Sequence, residues 1–189
     1  RKVVAGEEFL GKPALKSPVI YLTEQGKGSF REALRRADLL ERDDFHILDY
    51  PDAIGTDWPA VVKAATRKSV ETGAKLLVVD TLPQWAKMRG ESENHAGNAL
   101  EALEPLQLAA SLDIAIVVVR HERKGGGEIG ESSRGSTAFG GGVDIITSIR
   151  RGDGNTPDTV RVLQSLSRFD DTPDKLVIDY KNGEYVSLG

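Results

Sequence analysis

The stretch "AKLLVVD", residues 74–80, combines a short continuous apolar run with a carboxylate at its end. An unbroken apolar run of this length is typical of a strand buried on both faces, as strands of parallel sheets are. The helical pattern "DWPAVVKAATRKSVETG" precedes it, and a second apolar run, "IAIVVVR" at residues 114–120, follows a further helical pattern. This alternation predicts an α/β fold with a parallel sheet.

Two earlier strands extend the same pattern toward the start of the chain. "SPVIYLT" at 17–23 and "FHILDY" at 45–50 are β-branched or apolar runs, and the helical pattern "SFREALRRADLL" lies between them. Ser29 and Glu32 have capping-box spacing, which predicts a helix start at Ser29. The opening "RKVVAG" resembles the last turn of a helix that Gly6 closes in the left-handed conformation.

Three residues predict where the later helices begin, end or bend. We expect Asp57 near the start of the helix before residue 74 and Gly73 at its end. Pro105 lies within "NALEALEPLQLAASLD" and should kink or restart that helix, because proline cannot donate the helical hydrogen bond.

The chain changes character after the fourth apolar run. The segment from Arg120 to Gly142 contains eight glycines and is too long for an ordinary connection. Beyond it, apolar and polar residues alternate in "DIITSIRR", "TVRVLQSLSRF", "KLVIDY" and "EYVSL", which predicts antiparallel hairpins. We therefore predict one domain over residues 1–189, with a mainly parallel sheet and a C-terminal antiparallel β-hairpin extension.

Composition excludes several classes of protein. The sequence has no cysteine and three histidines, which excludes disulfides and thiolate metal sites and argues against a dedicated zinc site. No apolar run approaches the roughly 20 residues that a membrane-spanning helix needs, and no secretory signal is present, so we expect a cytoplasmic protein without membrane contact. The net charge of -4 restricts any nucleic-acid contact to local basic loops.

Polar residues follow three of the predicted strands. Glu24, Asp80 with Thr81, and Arg120 with His121 stand where the carboxyl ends of parallel strands meet, which is where open α/β sheets bind ligands. A hydrophobic strand that ends in aspartate can position a carboxylate for the water shell of Mg²⁺ beside a nucleotide phosphate. The alternative is that Asp80 only caps a turn.

Several segments occur in the order found in RecA-like ATPases: "VIYLTE", "KLLVVDTLPQW", "IAIVVVRHERKGGG", "RGSTAFGGGVDIITSIRR" and "LSRFDDTPDKLVIDYKNGEYVSLG". From Val4 onward the chain resembles RepA-type replicative helicases and the helicase modules of primase-helicases. The resemblance implies a RecA-like three-layer αβα fold and an ATPase that uses ATP and Mg²⁺. It also implies a homo-oligomeric ring, expected to be hexameric, that acts on single-stranded DNA during replication.

The resemblance also assigns roles at the strand ends. Glu24 matches the catalytic glutamate that deprotonates the attacking water, and Asp80 matches the Walker B aspartate on Mg²⁺, with Thr81 beside it. His121 matches the histidine that senses the γ-phosphate, and Lys124 stands where the family commonly has a basic residue. From the residues alone, Glu24 could instead accept backbone N–H bonds in its own turn, and His121 could be a structural histidine.

Two arginines resemble those that ring ATPases present to the nucleotide of a neighbouring subunit. Arg168 in "SRF" matches the ring-helicase position better than Arg134 in "RGS", and a guanidinium there would stabilise the charge of the transition state. If the protein is a monomer, both are ordinary surface or salt-bridge residues.

The sequence departs from the family because it contains no GxxxxGK[ST], the loop that holds the phosphates. "GKGSF" at 26–30 has the wrong spacing and follows the wrong strand. In the family this loop and its helix directly precede a segment like "RKVVAGEEFLGKPAL", so we expect Arg1 to lie near the end of that helix. The 189 residues alone should therefore bind ATP poorly.

Ring helicases place DNA-contacting loops after the Walker B strand and after the next strand. In this sequence the loops carry four basic candidates for phosphate contacts: Lys87, Arg89, Arg123 and Lys124. Trp85 could stack on a base or pack beneath its loop. Two other functions stay open: a KaiC-like or RadA-like ATPase without unwinding activity, and a non-catalytic RecA-fold module that binds or scaffolds.

Overall fold

The computed structural model describes residues 1–88, 96–121, 137–152 and 154–189. The described helices are α1 (Lys2–Ala5), α2 (Lys27–Arg36), α3 (Trp58–Thr72), α4 (Leu82–Trp85), α5 (Ala96–Ala110) and α6 (Thr137–Gly142), with a 3₁₀ turn at Tyr50–Ala53. The described strands are β1 (Val19–Thr23), β2 (Phe45–Asp49), β3 (Leu76–Asp80), β4 (Ala115–Val118), β5 (Ile145–Arg151), β6 (Val160–Ser167), β7 (Lys175–Lys181) and β8 (Glu184–Ser187). None of these helices is long and apolar enough to cross a membrane.

The strands form two four-stranded sheets. The first has the order β2-β1-β3-β4 and is parallel throughout, and the second has the order β5-β6-β7-β8 and is antiparallel throughout. The predicted α/β class, with a parallel core and a C-terminal antiparallel extension, is therefore confirmed.

Helices cover both faces of the parallel sheet. Consecutive residues of a strand point to opposite faces, and the buried residues of β1 and β3 divide accordingly. One face packs against α3 and α5 through Ile20, Leu22, Leu77 and Val79. The other face packs against α1 and α2 through Val19, Tyr21, Leu76 and Val78. The molecule thus has the three αβα layers that the sequence predicted.

The ends of α1 and α3 confirm three local predictions, whereas the predicted start of α2 is wrong. Asp57 caps α3 by accepting a 2.8 Å hydrogen bond from the Ala60 N–H, while Gly6 and Gly73 adopt φ of 69° and 72° after α1 and α3. The N-cap of α2 is Gly26, not Ser29, because the helix begins at Lys27 directly after the turn that follows β1. Ser29 lies inside the first turn, where its hydroxyl donates to the Gly26 carbonyl over 2.9 Å.

Helix α5 passes through Pro105 without a restart, so that part of the prediction is wrong. Packing explains the continuity, because Ala102, Leu103 and Leu106 on either side of the proline are buried in the main core. The Ala102 carbonyl also accepts a 2.9 Å hydrogen bond from the Trp58 indole, which attaches this turn of α5 to α3.

The central position of β3 gives a test of the fold. Leu77 is fully buried in the parallel sheet, whereas Leu108 on α5 is 68% exposed. We expect Leu77→Ala to lower the free energy of unfolding by about 3 kcal/mol, because the change leaves a cavity between the sheet and its helices. Leu108→Ala should change it by less than about 0.5 kcal/mol. Urea unfolding measures both, and equal losses would contradict the assigned core.

Candidate functional site at the carboxyl edge of the parallel sheet

The four parallel strands end at one edge of their sheet, which we call the carboxyl edge. Thr23 at the end of β1 lies opposite Asp49 of β2 on one side and Asp80 of β3 on the other. The Glu24 N–H continues the ladder by donating to the Asp80 carbonyl over 2.9 Å. The shared register therefore brings Glu24 and Asp80 together, as the sequence predicted for residues that follow parallel strands.

A hydroxyl holds the side chain of Glu24. The Thr81 hydroxyl donates a 2.9 Å hydrogen bond to Oε2 of Glu24, and Thr81 is only 4% exposed. The Thr23 hydroxyl accepts the N–H of Gln25 and fixes the turn after β1. Among the described residues the Glu24 carboxylate has no backbone N–H partner, so it does not serve the turn as the structural alternative supposed. Its Oε2 is held by Thr81, and its Oε1 accepts no hydrogen bond within the part of the chain that the structure describes.

Asp80 is held in a similar way from the opposite face of the sheet. The Tyr21 hydroxyl donates to Oδ2 of Asp80 over 2.9 Å, and the Gln25 amide nitrogen lies 3.4 Å from the same oxygen. Oδ1 accepts no hydrogen bond from any described residue. The N-cap of α4 is Thr81, without a side-chain cap bond, and the Asp80–Thr81 peptide is cis. Asp80 therefore does not cap the helix that follows it.

Tyr21 is half-buried beneath the carboxyl edge, between Phe30 at 5.3 Å and Phe45 at 5.7 Å between ring centroids. Burial raises the pKa of the Tyr21 hydroxyl well above its usual value, and the hydrogen bond to Asp80 and the negative charge of Asp80 raise it further. The phenol therefore stays protonated at neutral pH and acts toward Asp80 as a hydrogen-bond donor.

The carboxyl edge offers a suitable oxygen ligand for Mg²⁺ but no cage made of protein alone. Within the described ranges, no group of three or more histidine, cysteine, aspartate or glutamate side chains could hold a metal ion. Mg²⁺ keeps most of its waters and commonly uses one or two carboxylates together with substrate phosphates. The open Oδ1 of Asp80 fits that kind of site.

His121 lies at the same edge, one strand beyond Asp80. The Leu82 N–H donates to the Val119 carbonyl over 3.0 Å, which connects the end of β4 to the residues after β3. His121 is exposed two residues later. Its neighbour Arg120 places its guanidinium carbon 4.0 Å from the ring centroid of Phe139 in α6. His121 is thus near the predicted place, and its role as a phosphate sensor stays a prediction.

Arg168 makes contacts within its own chain. Its guanidinium donates to the Gly141 carbonyl over 2.8 Å and to the Asp144 carboxylate over 3.3 Å, and its backbone N–H donates to the Asp144 carbonyl. The side chain remains 56% exposed. Arg168 thus connects the end of β6 to the end of α6, and its predicted action on a neighbouring subunit stays a prediction.

The predicted DNA-contacting residues fall largely outside the described ranges. Arg89, Arg123 and Lys124 lie there, as does the second candidate ring arginine, Arg134. Lys87 is described: its ammonium donates to the Thr56 carbonyl over 3.1 Å, and it lines a cavity of about 360 Å³ between the starts of α3 and α5.

The environment of Trp85 distinguishes its two predicted roles, stacking on a base and packing beneath its loop. It is 2% exposed and its ring packs edge-on against Tyr50 at 5.2 Å between centroids. A buried indole has no free face for a nucleotide base, so the packing alternative is correct.

Sequence reasoning missed Tyr21 and Gln25. Tyr21 looks like one more apolar residue of a buried strand, because its hydroxyl becomes significant only when β1 and β3 are paired. In that pairing Tyr21 lies opposite Val78, two positions before Asp80 on the same face. Gln25 directly follows Glu24, and only its place at the carboxyl edge distinguishes it from an ordinary turn residue.

Comparisons with known proteins support the fold and nothing finer. No protein-family model and no curated protein matches this sequence. Among solved structures, the chain is similar to the crystal structure of a KaiC-like protein from the hyperthermophilic archaeon Pyrococcus horikoshii OT3. The TM-score is 0.63 at 13% sequence identity, and the match covers 92% of this chain and 76% of the archaeal one. The chain therefore has the RecA-like fold that the sequence predicted.

The state of Tyr21 gives a test of the site that depends on pH. Above the ordinary phenol pKa of about 10, Tyr21 ionises in the unfolded chain but stays neutral in the folded one. The unfolded state then binds fewer protons, so the free energy of unfolding decreases as the pH rises. We expect Tyr21→Phe to make this decrease shallower. Urea unfolding below and above pH 10 measures the free energy of unfolding, and tyrosinate absorbance reports the ionisation of the tyrosines. The same pH dependence in the unaltered protein and in Tyr21→Phe would contradict the buried hydrogen bond.

Proposed function

We propose that this chain is the water-activating and metal-binding part of an ATP-hydrolysing RecA-like site. The observation that supports the proposal is the pairing of Glu24 and Asp80 at the carboxyl edge. Thr81 holds one carboxylate at 2.9 Å and Tyr21 holds the other at 2.9 Å, and the second oxygen of each accepts no hydrogen bond from the described residues. Two fixed carboxylates at the ligand-binding edge of an α/β sheet suit hydrolysis of a nucleotide phosphate.

Each carboxylate has its own role in the proposed reaction. The open oxygen of Glu24 accepts a proton from the water that attacks the γ-phosphorus, and ADP leaves from the opposite side. Asp80 would hold hydrated Mg²⁺ through Oδ1, the oxygen that accepts no hydrogen bond from the described residues. Mg²⁺, when bound there with the nucleotide, supplies positive charge that neutralises the phosphate oxygens. Thr81 limits the motion of Glu24, which reduces the cost of reaching the reactive geometry.

These residues do not include GxxxxGK[ST], the loop that supplies backbone N–H groups and a lysine to the phosphates. The proposal therefore concerns the water-activating and metal-binding half of the site. ATP hydrolysis should be measured on the natural protein that contains these 189 residues, so that any phosphate-binding segment in that protein can contribute to ATP binding.

Replacing the two carboxylates separately tests the proposal. In that protein, Glu24→Gln should lower kcat for ATP hydrolysis by about 100-fold or more while ATP still binds, because the amide cannot accept the proton. Asp80→Asn should instead raise the Mg²⁺ concentration needed for half-maximal turnover. Steady-state phosphate release measures both variants. Glu104→Gln on the exposed side of α5 is the matched control and should leave both quantities unchanged.

The results separate the catalytic proposal from the scaffold alternative. Normal turnover by Glu24→Gln would refute its role as the base. If ATP with Mg²⁺ produces no shift in the melting temperature of the unaltered protein, the protein does not bind the nucleotide and the non-catalytic module is favoured.

The helicase role is the finer part of the proposal, in which a hexameric ring of this chain moves along single-stranded DNA. Its support is the resemblance to RepA-type helicases and the exposed Lys87 beside the cavity between α3 and α5. The similarity to a KaiC-like protein favours the second candidate, a KaiC-like or RadA-like ATPase, at least as strongly. Strand-displacement assays distinguish the two, because only the helicase unwinds a duplex.

Removing positive charge from the two predicted loops tests the DNA contact. Alanine at Lys87, Arg89, Arg123 and Lys124 together should weaken binding of an oligothymidylate and reduce the dependence of affinity on salt. Four exposed basic residues on and after α3 provide a control with the same change of charge: Lys63, Arg67, Lys68 and Lys75. Fluorescence anisotropy at several salt concentrations measures both variants. Unchanged affinity in the first variant, or equal losses in both, would refute contact by these loops.

A further inference from the structure

The Tyr21 hydroxyl reaches Asp80 across two paired strands. Tyr21 lies opposite Val78 in the register of β1 and β3, and Asp80 lies two residues further along the same face of β3. The ring spans this diagonal and its hydroxyl donates to Oδ2 of Asp80 over 2.9 Å. Diagonal neighbours on one face of a sheet are within reach of an aromatic side chain.

The position of this hydroxyl is fixed from below. The ring lies between Phe30 of α2 and Phe45 of β2, with centroid distances of 5.3 and 5.7 Å. These ring contacts hold the phenol in place and keep its hydroxyl oxygen within hydrogen-bond distance of Asp80. Gln25, by contrast, is exposed and approaches Oδ2 only to 3.4 Å.

The two carboxylate oxygens of Asp80 therefore differ in their hydrogen bonds. Oδ2 is directed toward Tyr21, whereas Oδ1 accepts no hydrogen bond from the described residues. A carboxylate held at one oxygen presents the other in a fixed direction, which is how neighbouring hydrogen bonds orient the ligands of metal sites.

We propose that Tyr21 is a positioning residue that orients Asp80 so that its Oδ1 faces a hydrated divalent metal. This inference rests on the proposed function, because it assigns a device to the same metal-binding carboxylate. Tyr21 itself touches neither metal nor nucleotide. Because the hydrogen bond from Tyr21 already restricts rotation of the Asp80 side chain, metal binding costs less conformational entropy.

Tyr21→Phe removes the hydroxyl and keeps the ring. In the natural protein that contains this chain, we expect this variant to weaken Mn²⁺ binding about tenfold in the presence of a non-hydrolysable ATP analogue. Electron paramagnetic resonance of free Mn²⁺ measures this affinity without any turnover. The Mg²⁺ concentration for half-maximal ATP hydrolysis should rise by a similar factor, with kcat at saturating Mg²⁺ nearly unchanged.

Tyr50→Phe is the matched control, because it removes the same atom from a ring that packs on Trp85 instead of beneath Asp80. It should bind Mn²⁺ like the unaltered protein. Suppose that the unaltered protein binds Mn²⁺ and hydrolyses ATP. Unchanged Mn²⁺ affinity in Tyr21→Phe, or equal losses of affinity in both variants, would then overturn the positioning role of Tyr21 alone. If the unaltered protein bound no Mn²⁺ with the analogue, the metal-binding part of the proposed function would fail, and this inference with it.

Discussion

The parallel pairing of β1 with β3 is the constraint on which the site depends. Its register places Thr23 opposite Asp80, so that Glu24, the residue after β1, donates its N–H to the Asp80 carbonyl over 2.9 Å. A register shift of one residue would move every side chain of β1 to the other face of the sheet. The side-chain bonds from Tyr21 to Asp80 and from Thr81 to Glu24 would then be lost. The same packing that buries Leu22 and Leu77 therefore fixes the positions of Glu24 and Asp80 at the edge.

Hydrophobic patterns predicted the fold class and the edge at which the parallel strands end. Continuous apolar runs identify buried parallel strands, and the ends of such strands share one edge, so Glu24 and Asp80 could be placed together before their contacts were known. The contacts themselves could not, because they depend on tertiary pairing. Tyr21 carries no local sign of its role, and the start of α2 at Lys27 followed the turn after β1 instead of the capping-box pattern at Ser29. The restart expected at Pro105 does not occur, because core packing on both sides of it maintains α5.

The carboxyl edge is also connected to the second half of the molecule. Arg120 follows β4 and lies over the ring of Phe139, which is 6% exposed in α6. Helix α6 in turn accepts a hydrogen bond from Arg168 at the end of β6. A chain of packed and hydrogen-bonded groups therefore runs from the edge where Asp80 lies to the antiparallel sheet.

We propose that Glu24 and Asp80 act together in one nucleotide-hydrolysing site. The most direct measurement is a crystal structure of the natural protein that contains this chain, grown with Mn²⁺ and a non-hydrolysable ATP analogue and recorded with anomalous scattering. We predict a manganese peak beside Oδ1 of Asp80, with the open oxygen of Glu24 facing the γ-phosphate. Nucleotide bound elsewhere on the chain, or a manganese peak remote from Asp80, would refute a shared site at Glu24 and Asp80.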